Sequence, residues 1–259
     1  MERRFFMQAS VAGALVGTSA ATAADPERKP REHYELRVYA LKPAKLPLLD
    51  QYLSKAFIPT VKRYGLGPVG VFLDKMNPEQ AKVYVLIVYP SADKCAGLSE
   101  RLADDAEYRK LAADYLAASA SDPVYNRIES SLLTAIDGMA KLEKPDVSKP
   151  RLFNLRVYES HNERAGKKKI EMFNKGELAI FRRVGLTPVL FGETVVGGAM
   201  PNLTYLLVFP DDEGRKAAWN RFREDPEWLK LKAIPEYADK EIVSRITNII
   251  LTPAAYSEL

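Results

Sequence analysis

The chain reads as an α+β protein made of two β-α-β-β-α-β repeats, each a ferredoxin-like split unit, closing together into one barrel-like pseudo-dimer. Three observations predict this. First, Leu36-Arg37-Val38-Tyr39 returns as Leu155-Arg156-Val157-Tyr158, and the echo continues downstream. Gly65-Leu66-Gly67-Pro68-Val69 matches Gly185-Leu186-Thr187-Pro188-Val189, and Asp105-Ala106-Glu107-Tyr108 matches Asp225-Pro226-Glu227-Trp228. The offset stays at about 119 residues, a period of domain length rather than of a solenoid repeat. Second, strand-period and helix-period segments alternate in the same order in both halves. Third, a four-stranded sheet covered by helices on one side leaves its other face bare, and the tethered second repeat is the nearest cover.

Residues 1–24 carry the three parts of an export signal: Arg3-Arg4-Phe5-Phe6, a soft apolar stretch from Ala9 to Ala21, and the small-x-small site Ala21-Thr22-Ala23. The arginine pair points to the twin-arginine route and a periplasmic or secreted destination. The apolar stretch is too short for a stable membrane span. Residues 25–33 then form an N-terminal tail.

Domain one is expected over 34–136. Tyr34, Leu36 and Val38 alternate with Glu35, Arg37 and Tyr39 as in a half-buried strand. Leu46, Leu49, Leu53, Phe57 and Tyr64 form a helical stripe interrupted by Pro59. Val69 to Leu73 and Val83 to Tyr89 read as strands joined through Met76-Asn77-Pro78-Glu79, the second of them apolar enough to be buried on both faces. Helical sequence follows to Ala118, broken near Asp104-Asp105, and Tyr125 to Ile136 forms the fourth strand. Residues 137–150, with Pro145, Pro150 and many charges, read as a linker. Domain two, expected over 151–254, repeats the order. Its strands fall at Leu152–Glu159, Pro188–Glu193, Leu203–Phe209 and Ile242–Thr252, and its helices at Lys167–Val184 and Glu213–Ala233.

The two domains have ordinary globular composition, 47% hydrophobic and 28% charged. With a net charge of +4 and both signs interspersed, no nucleic-acid partner is indicated. The densest basic run, Arg164 with Lys167, Lys168 and Lys169, reads as a solvated helix entry. The single cysteine, Cys95, excludes an intramolecular disulfide and reads as a small apolar residue in a helix. No dinucleotide, phosphate-loop, serine-hydrolase, C-x-x-C or H-E-x-x-H motif is present, so no cofactor is expected.

Tyr34-Glu35-Leu36-Arg37-Val38-Tyr39 resembles the opening strand of the NIPSNAP family. Phe181-Arg182-Arg183-Val184-Gly185-Leu186-Thr187-Pro188, Met200-Pro201-Asn202-Leu203-Thr204-Tyr205 and Asp225-Pro226-Glu227-Trp228 are similar to its later segments. The resemblance spans residues 34–252 and is more specific in the second half. It implies a dimeric α+β barrel, in the wide group that includes small monooxygenases and haem-binding barrels. It implies no residue roles and no reaction.

Arg37 and Tyr39, like Arg156 and Tyr158, share one strand face, opposite Leu36/Val38 and Leu155/Val157. Lying opposite the apolar face, the Arg/Tyr face is expected to line the barrel. Paired donors of this kind suit a carboxylate or phenolate ligand, and they equally suit structural struts. Comparing the halves adds Glu177 in the place of Phe57, Glu193 in the place of Leu73 and Asn202 in the place of Lys82. A carboxylate on a core-facing stripe needs a partner or a solvated cavity, unless a local register slip turns it to solvent. The candidate ligand site is therefore Arg156, Tyr158, Glu177, Glu193 and Asn202 of domain two, with Arg37 and Tyr39 of domain one. His161 follows a strand in an H-x-E pattern; it reads as a surface-loop histidine, with acid/base or axial haem duty as the other options, and no metal set completes it. Two functions stay open: a small molecule held in the barrel interior, including the cofactor-independent oxygenase kind, or a non-enzymatic protein-interaction module. Self-association is open as well.

Overall fold

The computed structural model describes residues 30–74 and 81–259. The export segment and the Met76-Asn77-Pro78-Glu79 connection lie outside the described residues. Repeat one runs β1 (His33–Ala40), α1 (Leu46–Tyr52), α2 (Ile58–Arg63), β2 (Val69–Asp74) and β3 (Lys82–Tyr89). It continues through α3 (Ala92–Ala96), α4 (Leu98–Asp104), α5 (Ala106–Leu111) and α6 (Ala113–Leu116) to β4 (Arg127–Ala135). Repeat two runs β5 (Leu152–Glu159), α7 (Glu163–Met172), α8 (Leu178–Val184), β6 (Thr187–Val196) and β7 (Asn202–Phe209). It ends with α9 (Asp212–Glu224), α10 (Pro226–Lys232), α11 (Asp239–Ile242) and β8 (Arg245–Pro253).

The sequence echoes have local causes. Asp105 caps α5 by accepting the Tyr108 backbone N–H, and Asp225 caps α10 by accepting those of Glu227 and Trp228, with Pro226 at the first helical position. Gly185 ends α8 at φ +85°, in the left-handed region. A π-helical turn interrupts the first long helix of each repeat at equivalent places, Leu53–Phe57 and Phe173–Glu177.

The eight strands among the described residues form one closed antiparallel barrel in the order β1-β3-β2-β8-β5-β7-β6-β4. Each repeat contributes four neighbouring strands, and the seams are β2 with β8 (Leu73 opposite Thr252) and β4 with β6 (Thr134 opposite Glu193). The repeats thus meet by hydrogen-bonded edges as well as by facing surfaces, which removes every open edge from the sheet. Helices pack outside, forming one apolar cluster around Phe57 and Val85 and another around Phe181 and Tyr205.

The barrel interior is a third cluster, which includes Tyr34, Phe72, Leu86, Leu133, Phe153 and Leu206. Its middle retains a space of only about 10 Å³, lined almost wholly by apolar side chains. The last residues run back along β2: the Ala254 N–H donates to the Val71 carbonyl, the Glu258 N–H donates to the Val69 carbonyl, and Leu259 is fully buried in the interior cluster. Neighbouring strands alternate in direction, so β1, β5 and β6 all end at the same rim.

Two expectations fail here. The Arg37/Tyr39 and Arg156/Tyr158 face does not line the barrel: Tyr39 and Tyr158 belong to the helix-side clusters, while Leu36, Val38 and Leu155 pack on the interior cluster. The interior is also packed with apolar side chains at mid-height, too tightly for a ligand chamber there.

Candidate functional site

The outer face of the sheet carries a polar arrangement in each half, and the two halves differ. In repeat one, Arg37 grips Glu35 with two hydrogen bonds, Nε to Oε1 at 2.5 Å and Nη2 to Oε2 at 2.9 Å. The Tyr89 hydroxyl donates to the same carboxylate at 2.8 Å, the Ser130 hydroxyl at 2.8 Å, and the Cys95 thiol lies 3.7 Å away. Burial works to raise the Glu35 carboxyl, but the Arg37, Tyr89 and Ser130 donors outweigh it and hold it below the usual carboxylate range. The Cys95 thiol is pushed up to about 11, by burial and by Glu35, so it carries no thiolate at neutral pH. The cluster is closed and charge-balanced.

Repeat two keeps the arginine and replaces the other members. Asn154 stands where Glu35 stands, Phe209 for Tyr89, Asn248 for Ser130 and Arg215 for Cys95. The Asn154 amide donates to Asn248 Oδ1 at 2.7 Å and to the Ile249 carbonyl at 3.3 Å, and it accepts the Trp219 indole N–H at 3.2 Å. Arg156, the counterpart of Arg37, has no carboxylate. Its Nη1 reaches Asn248 Oδ1 only at 3.5 Å, and its Nε is buried with no partner. The guanidinium lies 4.4 Å over the Trp219 ring and 5.3 Å from the Tyr158 ring. Burial disfavours its charge, yet Tyr205, Tyr158 and Glu177 more than offset this, and its pKa is raised.

Above Arg156 opens a groove of about 420 Å³ between the sheet and α9–α10. Arg215, Lys216, Arg223 and Lys232 line it with Arg156, and Asp239 is its only acid. Arg215 and Lys216 share Asp212, at 2.8 and 2.9 Å, and Arg223 donates to Asn220. Trp219 and Trp228, the only two tryptophans of the chain, both line this groove. The arrangement offers a planar guanidinium fork beside aromatic walls within a field of positive charge, a geometry suited to a planar anion.

Glu177 does point inward, as its place on the helical stripe requires, but it does not enter the groove. It forms a buried ion pair with Lys169 at 2.9 Å, both side chains being 2% exposed. Burial pushes the Glu177 carboxyl up, and the Lys169 ammonium offsets part of that rise. Lys169 is caged by Phe173, Tyr158 and Trp228 at 4.9, 5.3 and 5.8 Å. Lys169 is therefore no part of a solvated helix entry. It, and neither Arg156 nor Tyr158, forms the ion pair with Glu177, and the Tyr158 hydroxyl accepts from Tyr205 at 2.9 Å.

The other expected residues are dispersed. Tyr39 is buried among the repeat-one helices, and Glu193 faces outward and pairs with Lys167 at 2.6 Å. His161 is exposed ahead of α7, in an open recess with Asn162, Lys168 and Glu241. Asn202 faces the barrel and lines its open rim, a space of about 510 Å³ bounded also by Leu36, Val38, Val157, Thr194 and Thr204. Of the expected set, the groove gathers only Arg156 and Tyr158. Asn154, Asn248, Trp219 and Lys169 were missed, although the comparison of halves that singled out Glu177 reaches each of them. Among the described residues, no group of three or more His, Cys, Asp or Glu could hold a metal, and no helix is long and apolar enough to cross a membrane.

Comparison with known proteins agrees with this architecture. A candidate monooxygenase from Lactobacillus acidophilus NCFM superposes with a TM-score of 0.57 at 10% identity, covering 86% of this chain and 94% of its own. An anthrone oxidase-like protein gives a TM-score of 0.52 at 10% identity, covering 88% and 95%. At such identity the likeness is one of fold. A NIPSNAP-like domain protein from Burkholderia xenovorans is 20% identical over 41% of this chain and 88% of its own, with a TM-score of 0.37. No curated protein matches. The NIPSNAP profile matches twice, over residues 34–136 and 153–258, and the chain accordingly belongs to the NIPSNAP family.

Proposed function

We propose that this protein binds a small planar anion, of the aromatic carboxylate class, in the groove of repeat two. The observation that carries the reading is Arg156: its counterpart Arg37 is neutralised by Glu35, whereas Arg156 faces the groove with no carboxylate bonded to its guanidinium among the described residues. A bidentate carboxylate would satisfy the guanidinium fork, and a ring would lie against the aromatic wall of Trp219, Phe222 and Trp228. The small-molecule ligand expected from the sequence is kept in this reading, and its place moves from the barrel interior to the outer face of the sheet. No reaction is assigned. The two tryptophans report on the groove, so titration with benzoate should change their fluorescence, with an affinity that falls as salt rises. Benzamide, of the same shape without the charge, should give no such change, and Arg156→Gln should weaken benzoate binding about tenfold or more. An equal response to benzamide, or undiminished binding by the variant, would mean the groove does not select anions. In that case the protein-interaction reading takes precedence.

We also read the two halves as ferredoxin-like units fused into a pseudo-dimer, a reading supported by the shared element order and the four contiguous strands of each. Export by the twin-arginine route is proposed from Arg3-Arg4 and Ala21-Thr22-Ala23. Replacing both arginines with lysine should leave unprocessed precursor in the cytoplasm. Normal processing of that variant, followed by immunoblot of cell fractions, would remove the assignment.

A further inference from the structure

We propose a second ligand site at the open rim of the barrel, selective for a neutral, mainly apolar molecule that carries a hydroxyl donor. It lies on the opposite face of the sheet from the anion groove and stands independently of it.

Three observations define the site. Its size, about 510 Å³, falls in the usual range of small-molecule pockets. Its floor is apolar: Leu36, Val38 and Val157 point into the barrel and, unlike the packed middle, are only half-buried. Its polar wall is a closed circuit. The Asn202 amide nitrogen donates to the Gly198 carbonyl at 3.2 Å and the Ala199 carbonyl at 3.0 Å. Two carbonyls can only accept, which fixes the NH₂ on their side and turns Oδ1 toward the barrel. There Oδ1 accepts the Thr194 hydroxyl at 2.7 Å and the Thr204 hydroxyl at 2.9 Å.

Within this circuit of Asn202, Thr194 and Thr204 every side-chain proton is therefore committed, the Ser131 hydroxyl lying apart from it on the Gly197 side of the rim. What the two hydroxyl oxygens still offer is lone pairs. A ligand meeting them must bring the donor itself, and a carboxylate meets only acceptors. The one charged residue on the rim, Glu129, also repels an anion. The backbone is fitted closely here: Gly197, at φ +152°, lies where a Cβ would come within 2.3 Å of Ser131 Oγ, so only glycine closes this side. The barrel rim and the groove thus take ligands of opposite polarity.

The test uses the full chain and three probes of one length: 1-octanol, octanoate and octyl methyl ether. Nuclear magnetic resonance titration should show 1-octanol shifting the signals of Val38, Val157 and Thr204, with the Trp219 and Trp228 indoles unmoved. Octanoate and the ether should bind at least about tenfold more weakly at the rim, the loss of one neutral hydrogen bond. Val38→Phe fills the space and should abolish 1-octanol binding while leaving the fluorescence response to benzoate intact. Should that variant fold poorly, the wild-type shift map and the probe ranking decide alone. No shift at the rim, octanoate or the ether binding as well as 1-octanol, or Val38→Phe binding 1-octanol like the wild type, would each overturn the proposal.

Discussion

Lys169 and Glu177 show how one residue's position decides its energetics. Repeat one has Leu49 and Phe57 at these places, both buried, so the site is a core position by design of the fold and not a pocket. Removing one partner leaves an uncompensated charge with no water to receive it. Glu177→Gln should therefore cost about 3–5 kcal/mol of stability, measured by denaturant unfolding, while benzoate binding in the groove is retained. The double change Lys169→Met with Glu177→Leu keeps volume without charge and should be neutral or stabilising, by up to about 4 kcal/mol. A destabilised double variant would show that the pair does more than fill space. The sequence made Glu177 conspicuous because a carboxylate on an apolar stripe has few bland explanations. Lys169 stayed hidden because it sits in a basic run whose other members are solvated. Burial of one basic residue of these four follows from helix rotation: α7 turns Lys169 toward Tyr158 and Phe173.

At the scale of elements, strand order, helix breaks and caps were legible, since period-2 alternation, Pro226 and the Asp105/Asp225 caps act locally. The face of each strand was not. Both faces are buried here, one by the barrel and one by helices, so alternation marks the more apolar side without telling what covers it. The barrel interior took that side: its middle is packed with apolar side chains, whereas the helix layer can admit an arginine at its edge with partners alongside. The return of the chain along β2 after β8 was equally invisible, because Ala254 to Leu259 has no strand period. It places Leu259, fully buried, against the interior cluster beside Gly70, where a Cβ would meet the Phe72 ring. Leu259→Ala should cost about 2–5 kcal/mol, as a cavity in a packed core does, whereas the exposed Leu116→Ala should cost little. Equal melting temperatures for the two variants would mean the tail is not part of the core.

Over the whole molecule, duplication supplied one scaffold twice and let the halves diverge. Repeat one kept Glu35 against Arg37 and closed its outer face; repeat two exchanged that carboxylate for Asn154, and the positive field of α9 and α10 gathers over the freed Arg156. The central claim is that this exchange made a ligand site. Asn154→Glu restores the repeat-one pairing without removing any residue that lines the groove. Calorimetric titration of benzoate into the variant, with its fold checked by circular dichroism, tests the claim most directly. The new carboxylate should occupy Arg156 and weaken benzoate binding by about tenfold or more. A folded Asn154→Glu protein that binds benzoate as tightly as the parent would contradict it.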